Sequence, residues 1–398
     1  LHSFPTRRSS DLPIMTVFSE TIRGLDIIRT CHVEKNTKEK FLEKIDQRYG
    51  IHLFAAGLRR WHTIRRSTFI NLTFGVIILY MAYYPETFSV RAIAIILQYT
   101  EEFLNHLINT SVFYMDLETN MIGLERCEQI FKIETEKNAE EISNNKKDEI
   151  KYENWPEKGN IEFVNYFVRY RPNTPDILKN INLKIKKGEK VCFVGRTGSG
   201  KSSLINALVR IFEPRKGTIY IDNDDIANIN LNILRKKIAI LPQENFLIES
   251  NLKDNIDPLK IHSDDDILKT IDDLFLFKNL SEEKKLNFEI KENGKNLSSG
   301  EKKLICFART IIRQSKIVIL DDPTGGLDIQ TKNIIYNNIK KYLKDKTVII
   351  ITNQEDLMRL CDKIIVIDNG IIVESGNYDE LIKDKNNFFC NLFINNYK

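Results

Sequence analysis

Gly195-Arg-Thr-Gly-Ser-Gly-Lys-Ser202 follows a short apolar, β-branched run and leads into a helical one. Glycines, a lysine and hydroxyl residues at this spacing form a phosphate-binding loop. Gly195, Gly198 and Gly200 let backbone N–H groups turn inward around phosphate oxygens, and the start of the following helix adds partial positive charge. Thr197 and Ser199 sit within the loop, and Lys201 has the reach for the β- and γ-phosphates. The Ser202 hydroxyl, with Ser203 beside it, is of the type that ligates Mg²⁺. The loop alone leaves the reaction open, because kinases, GTPases and transport ATPases all use it.

Three further segments carry chemistry in the same half of the chain. Ile317-Val-Ile-Leu-Asp321 is an apolar run ending in a carboxylate, which suits a metal position beside bound phosphates, and Asp322 follows as the next acid towards an attacking water. Leu297-Ser298-Ser299-Gly300-Glu301 is a Ser/Gly turn ahead of a helical stretch, with hydroxyl and N–H donors for a phosphate. Gln243 ends the run Ala-Ile-Leu-Pro-Gln, and Gly-Gly-Leu327-Asp328 lies just beyond the carboxylates.

The elements that must hold these residues show in the hydrophobic pattern. Apolar runs at 190–195, 237–241, 316–321, 347–352 and 363–368 alternate with amphipathic stretches, the pattern of buried parallel strands in an α/β domain. Residues 134–159 shift to Lys, Glu and Asn and are expected to be a solvated linker, which makes 160–398 a separate domain. Residues 67–85 carry no charge and follow Arg59, Arg60, Arg65 and Arg66, so a membrane helix is expected there with its start on the cytoplasmic side. A second, less apolar span is expected over 88–112, with Arg91, Glu101 and Glu102 inside it.

Composition excludes several classes. With 59 Lys and Arg against 55 Asp and Glu the net charge is +4, which gives no reason to expect a nucleic-acid partner. The six cysteines are scattered singly, without zinc-site spacing or disulfide density, and read as reduced thiols facing the cytosol. Residues 1–12 resemble the translation of a sequencing adapter and are set aside from the fold.

The motif order (the glycine loop, Gln243, 297–301, 317–322 and 325–328) resembles the ATP-binding cassette of ABC transporters, as their Walker A, Q-loop, signature, Walker B and D-loop. Val168-Arg-Tyr170-Arg-Pro, Arg196-Thr-Gly-Ser and Asn255-Ile-Asp-Pro258 are similar to the second cassette of the C-type, multidrug-resistance-associated subfamily. Residues 18–29 resemble an intracellular loop of that subfamily's membrane domain. The resemblance implies an α-helical transmembrane segment, residues 13–133, followed by an α/β P-loop NTPase cassette with an antiparallel β subdomain and a helical subdomain near 250–310.

It also implies ATP and Mg²⁺ as cofactors. Tyr170 would stack on adenine, and Lys201 with its loop would hold phosphates. Ser202, Gln243 and Asp321 would hold the metal. Ser298, Ser299 and Gly300, with Asp328, would face the nucleotide of a second cassette. The other partners implied are upstream transmembrane helices, the lipid bilayer and a small-molecule transport substrate, in an integral membrane protein whose cassette is cytoplasmic. The implied activity is an ABC-type transporter ATPase exporting organic anions, conjugates or drugs.

Two positions depart from the family pattern. Asp322 stands where a catalytic glutamate is usual, and Asn353 where a histidine meets the γ-phosphate. Since no histidine occurs after His262, a shift of alignment cannot restore it. Asn353 can hydrogen-bond but cannot carry a proton or a positive charge there. With Asp322, Gln243 and Asn353 as the catalytic set, this cassette is expected to bind ATP and hydrolyse it poorly. The departures leave a second reading open, a channel-like or regulatory ABC protein switched by binding alone. The signature also carries Ser299 for glycine and Glu301 for glutamine, and Glu301 is expected to bring negative charge towards the partner's nucleotide.

Overall fold

The computed structural model describes residues 7–85, 89–133, 136, 151–171, 173–384 and 387–393. Residues 134–135 and 137–150 of the expected linker, the turn 86–88 and residues 1–6 lie outside them. Contacts divide the chain into two units, 1–134 and 135–398.

The first unit is helical. It runs through α1 (Arg7–Arg23), α2 (Leu25–Thr30), α3 (Glu34–Tyr83) and α4 (Val90–Phe131), with α1 and α4 both packing on α3. The Ser89 hydroxyl caps α4 by accepting the Ala92 N–H at 3.2 Å, satisfying one of the donors that a helix start leaves free. The expected spans fall inside α3 and α4, yet among the described residues no helix is long and apolar enough to cross a membrane. The physical reason lies in the interspersed polar residues. Ser67, Thr68, Asn71 and Thr73 dilute the apolar run of α3, and Arg91, Gln98, Glu102, Asn105 and His106 that of α4.

The second unit is built on two main sheets. Strands β1 (Ile161–Val168), β2 (Leu178–Ile185), β4 (Lys216–Ile221) and β5 (Asp224–Asp225) pair antiparallel in the order β2-β1-β4-β5. The six-stranded sheet uses β3 (Lys190–Val194), β6 (Ile238–Leu241), β9 (Ile317–Asp321), β10 (Thr347–Ile351), β11 (Lys363–Asp368) and β12 (Ile371–Gly376), in the order β12-β11-β3-β10-β9-β6. All its pairings are parallel except β11 with the edge strand β12. A two-stranded pair, β7 (Ser250–Asn251) with β8 (Glu289–Ile290), completes the set.

Helices α5 (Lys201–Leu208) and α6 (Leu231–Lys237) precede β6. Then α7 (Leu252–Ile256), α8 (Asp264–Asp273), α9 (Glu282–Leu286) and α10 (Ser299–Ile312) form the helical region, and α11 (Ile329–Tyr342) follows β9. The parallel strands are sequence runs such as Ile-Val-Ile-Leu and Thr-Val-Ile-Ile-Ile because both faces are covered, so each residue is apolar rather than every second one. One face packs on α10 and α11 through Val318, Leu320, Val348 and Ile350. The other packs on α5 and the antiparallel sheet through Ile319, Ile349 and Ile351. Each such side chain contributes roughly 1.5–3 kcal/mol on burial, so strand order is strongly specified, and with it the placing of the two Walker segments at the ends of β3 and β9 on either side of β10.

Candidate functional site

The glycine loop leaves the central strand β3 and enters α5. Gly195 has φ +154° and lies so close to β11 that a Cβ there would be 2.2 Å from the Ile367 carbonyl oxygen; only glycine lets the loop cross at that point. Gly200, at φ +108°, takes the left-handed turn that starts α5 and aims its first N–H groups into the loop. The Lys201 ammonium donates to the carbonyls of Gly195 and Arg196, both at 2.7 Å, and lies 3.5 Å from Ser199 Oγ. Burial pushes its pKa down while the nearby Asp321 carboxylate opposes that shift.

A cavity of about 580 Å³ opens beside the loop. It is lined by Thr197, Gly198, Gly200, Lys201, Ser202 and Ser203 from the loop and α5, and by Tyr170, Gln243, Asp321, Asp322 and Asn353 from elsewhere. Gly195 and Ser199 frame the loop behind this wall. Ser202 Oγ donates to Asp321 Oδ2 at 3.4 Å, across two strands that the sheet order holds apart by one. Burial raises the Asp321 pKa, with the Asp322 charge adding to it, while Ser202, Lys303 and Lys201 pull the other way.

One carboxylate, one hydroxyl and the Gln243 amide are hard oxygen donors and fit Mg²⁺. That ion is usually held by one or two carboxylates plus substrate phosphates rather than by a protein cage. Among the described residues no cluster of three or more His, Cys, Asp or Glu is placed to hold a metal.

Tyr170 is half exposed at the rim. Its hydroxyl is 2.8 Å from Ser203 Oγ and its ring lies 4.7 Å from that of Phe212, which fixes the ring plane at the cavity mouth. Asp322 is in a left-handed conformation, φ +46°, and its N–H donates to the Ile351 carbonyl at 2.8 Å. Its carboxylate folds over Gly325 so closely that a Cβ on that glycine would be 1.9 Å from Oδ2. The short acid therefore leans on the turn that follows β9.

The signature segment stands apart from this cavity. Ser298 caps α10 in a capping box: its Oγ accepts the Glu301 N–H at 3.2 Å, and Glu301 Oε2 takes both the Ser298 N–H and the Ser298 hydroxyl proton at 2.8 Å. Without a nucleotide, then, the Ser298 hydroxyl and the Glu301 carboxylate engage each other. Gly300 lies against α11, where a Cβ would be 3.4 Å from Thr331 Oγ1 and 3.8 Å from Asp328 Oδ1. Asp328 caps α11 through the Thr331 N–H and hydroxyl at 3.0 and 2.7 Å. Ser298, Ser299, Gly300 and Asp328 line no part of the Walker cavity.

Two contributors were not foreseen. Lys303, 3% exposed on α10, donates to the carbonyls of Pro242 and Gln243 at 3.4 and 3.2 Å and so ties the helix behind the signature to the Q-loop. Burial lowers its pKa, and the charges of Asp322, Cys306 and Asp321 counter that. The available signal was a lysine on the apolar face of a helical pattern. Gln354, next to Asn353, accepts the Thr324 hydroxyl at 2.8 Å and donates to the Thr324 carbonyl at 3.2 Å, clamping the turn after β10 to the turn after β9.

A family profile described as ABC transporter matches residues 178–325. The chain is 35% identical to Bile pigment transporter 1 of Saccharomyces cerevisiae over 405 residues, covering 96% of this chain and 25% of that protein. It is also 35% identical to ATP-binding cassette sub-family C member 2 of Homo sapiens over 381 residues, 95% of this chain and 24% of that protein. In fold it is similar to a bacterial Atm1-family ABC exporter solved with ATP bound, at a TM-score of 0.82 and 18% identity, covering 98% of this chain and 68% of that one. The chain spans about a quarter of the length of the curated relatives it matches. The glycine cradle on β3, the carboxylates at the end of β9, the capped signature turn and these likenesses together place the chain in the ABC transporter family, alongside members of subfamily C.

Proposed function

We propose that this chain serves as the nucleotide-driven arm of an exporter of organic anions, conjugates or drugs, and that its Walker site binds ATP with Mg²⁺ but turns it over slowly. The observation that carries the binding half is the cavity itself: a left-handed glycine cradle, a lysine held at its lip, and the Ser202–Asp321 pair facing it. Lys201 and the loop N–H groups would hold and orient the phosphates, Tyr170 would cover the base, and Ser202, Asp321 and Gln243 would hold the metal. The metal supplies charge neutralisation along the phosphates. Gln243 would orient the attacking water, and Lys303 keeps the main chain of the Q-loop in place.

The slow-turnover half rests on Asp322 and Asn353. An acid one methylene short, leaning on Gly325, sits back from where a water-orienting carboxylate is needed, and a displacement of about 1 Å can cost on the order of 10²-fold. Asn353 offers a hydrogen bond but no charge for the γ-phosphate. Asp322→Asn in the complete protein is expected to leave the ATPase rate within about twofold; loss of nearly all turnover overturns this reading.

A second cassette would close on this one and bring its own signature segment to the Walker cavity. The support is that Ser298–Gly300 and Asp328 form a separate cluster here and leave the cavity open on that side. For the helical unit we infer a membrane location within the assembled transporter. Exposed apolar side chains Phe69, Leu72, Val76, Leu79 and Tyr83 form a stripe along α3, with Ile95, Tyr99, Phe103 and Leu107 along α4. The polar residues of both helices would then face other helices. The alternative, regulation by binding alone, is favoured by the same Asp322 and Asn353 pair. ATP-dependent accumulation of an organic anion in vesicles bearing the complete protein supports export, and its absence together with ATP-gated conductance supports the alternative.

A further inference from the structure

The cassette holds a second cavity, of about 620 Å³, at the other end of the parallel strands from the glycine loop. Its wall is formed where β6 and β9 begin, so it lies far from the phosphate cradle, which sits where the strands end. Lys236 and Lys237 reach it from the end of α6, Arg309 and Arg313 from the end of α10, and Lys316 from the start of β9. Among the described residues none of these five cations is paired with a carboxylate. Several are instead pinned by main-chain carbonyls: Arg313 by Lys236 at 2.7 Å, Lys316 by Glu157 at 2.7 Å, and Arg309 by Asn255 at 2.7 Å. A carbonyl fixes a cation in place without neutralising it.

The acids nearby do not fill that role. Asp257 accepts the His262 N–H at 2.7 Å and lies 3.1 Å from His262 Nδ1, so it is spent on its own loop. Glu153 contributes its carbonyl to the Lys237 ammonium, while its side chain is exposed. Arg313 is partly buried, and that burial alone holds its pKa below the usual arginine value. Trp155 adds an independent mark. It is 7% exposed, packs edge-on against Tyr152 with ring centroids 5.8 Å apart, lines this cavity, and its indole N–H has no acceptor. A buried donor without a partner is costly, so an acceptor from outside the protein has something to gain here. The rest of the wall mixes apolar Ile256, Leu259 and Ile261, the last two exposed, with polar Asn154, Gln314 and Ser315.

We propose that this cavity binds an amphipathic organic anion, its acidic headgroup taken by Arg313, Lys236 and the Trp155 indole N–H and its apolar body laid against Ile256, Leu259 and Ile261. The size fits, since sites for molecules of this kind run to roughly 300–1,000 Å³ and combine apolar walls with a few convergent polar groups. The site is separate from the phosphate cradle, so it stands whether or not the proposed transport function does.

The test uses 2-naphthalenesulfonate as probe on the whole chain carrying Trp61→Phe. Because the chain has two tryptophans, Trp155 is then the only reporter. With Mg²⁺–ATP present at saturation, a saturable change in Trp155 fluorescence is expected. Affinity should fall about fivefold in Lys236→Gln and about tenfold or more in Arg313→Gln, with most of the latter recovered in Arg313→Lys. Uncharged 2-naphthalenesulfonamide and inorganic sulfate should each bind about tenfold more weakly or worse. The proposal is overturned by no saturable change up to about 5 mM probe, a dissociation constant well above any specific site's. It is equally overturned by displacement of the probe with ATP, by equal binding of the neutral analogue or of sulfate alone, or by indifference to both charge-removing variants.

Discussion

Two turns in this molecule end in helices and both are built from glycine and serine, yet they face the nucleotide question in opposite ways. At the glycine loop, residues 195–200, positive-φ glycines turn the backbone around the cavity, and the Lys201 ammonium that follows is held at the lip by carbonyls. At the signature turn the donors are already used: Ser298 and Glu301 satisfy each other, and Asp328 does the same for α11. An open turn is a binding device by itself. A self-capped turn is a stable helix start, and in the function proposed above its remaining N–H groups would meet only a nucleotide held by a second cassette. That contrast accounts physically for two such turns lying in one cassette without forming one site.

The largest expected effect comes from Lys201→Ala. Removing the half-buried ammonium should weaken ATP binding by about 100-fold or more, as calorimetry would show, while Ser298→Ala leaves binding to the isolated chain within about twofold. Equal losses in both would erase the contrast. Next, Lys303→Met leaves the carbonyls of Pro242 and Gln243 without their donor and should weaken Mg²⁺–ATP binding by about tenfold, with Lys303→Arg recovering part of it. A loss confined to thermal stability would assign Lys303 to the core alone.

The pH dependence follows from Asp321. Burial raises its pKa in the fold, so the charged form costs the folded cassette stability at neutral pH, and that cost disappears as pH falls through the raised value. Metal binding needs the charged form. Mg²⁺–ATP affinity should therefore begin to fall at a pH above that of an ordinary aspartate, and Asp321→Asn should raise the thermal midpoint while weakening Mg²⁺-dependent binding. Equal midpoints in the two proteins would contradict this assignment. The smallest effect belongs to Glu301→Ala, which breaks the capping box and should cost about 1 kcal/mol of stability with ATP affinity of the Walker cavity unchanged.

The chain order of Walker A, Q-loop, signature and Walker B was readable because each is a local device: a glycine spacing, a strand ending in an acid, a Ser/Gly helix start. The alternating apolar runs likewise predicted a parallel sheet, which the order β11-β3-β10-β9-β6 realises. In the helical unit an uncharged stretch of α3 suggested a span, and among the described residues no helix is long and apolar enough to cross a membrane, because polar residues interrupt the apolar runs.

Residue types and spacing by themselves determined that a phosphate cradle would form and that two of the expected catalytic positions hold unusual side chains. They could do so because backbone freedom at glycine and the reach of a lysine or an acid are properties of a few consecutive residues. Only the tertiary structure decided that Lys303 anchors the Q-loop, that Asp322 leans on Gly325, that Glu301 turns back on its own helix, and that five cations and an indole, without a carboxylate or acceptor among the described residues, share one cavity. The Lys303 anchor and the second cavity join segments tens to more than 150 residues apart, brought together by the packing of strands and helices, whereas the Asp322 and Glu301 contacts are local ones whose side-chain conformation the fold selects.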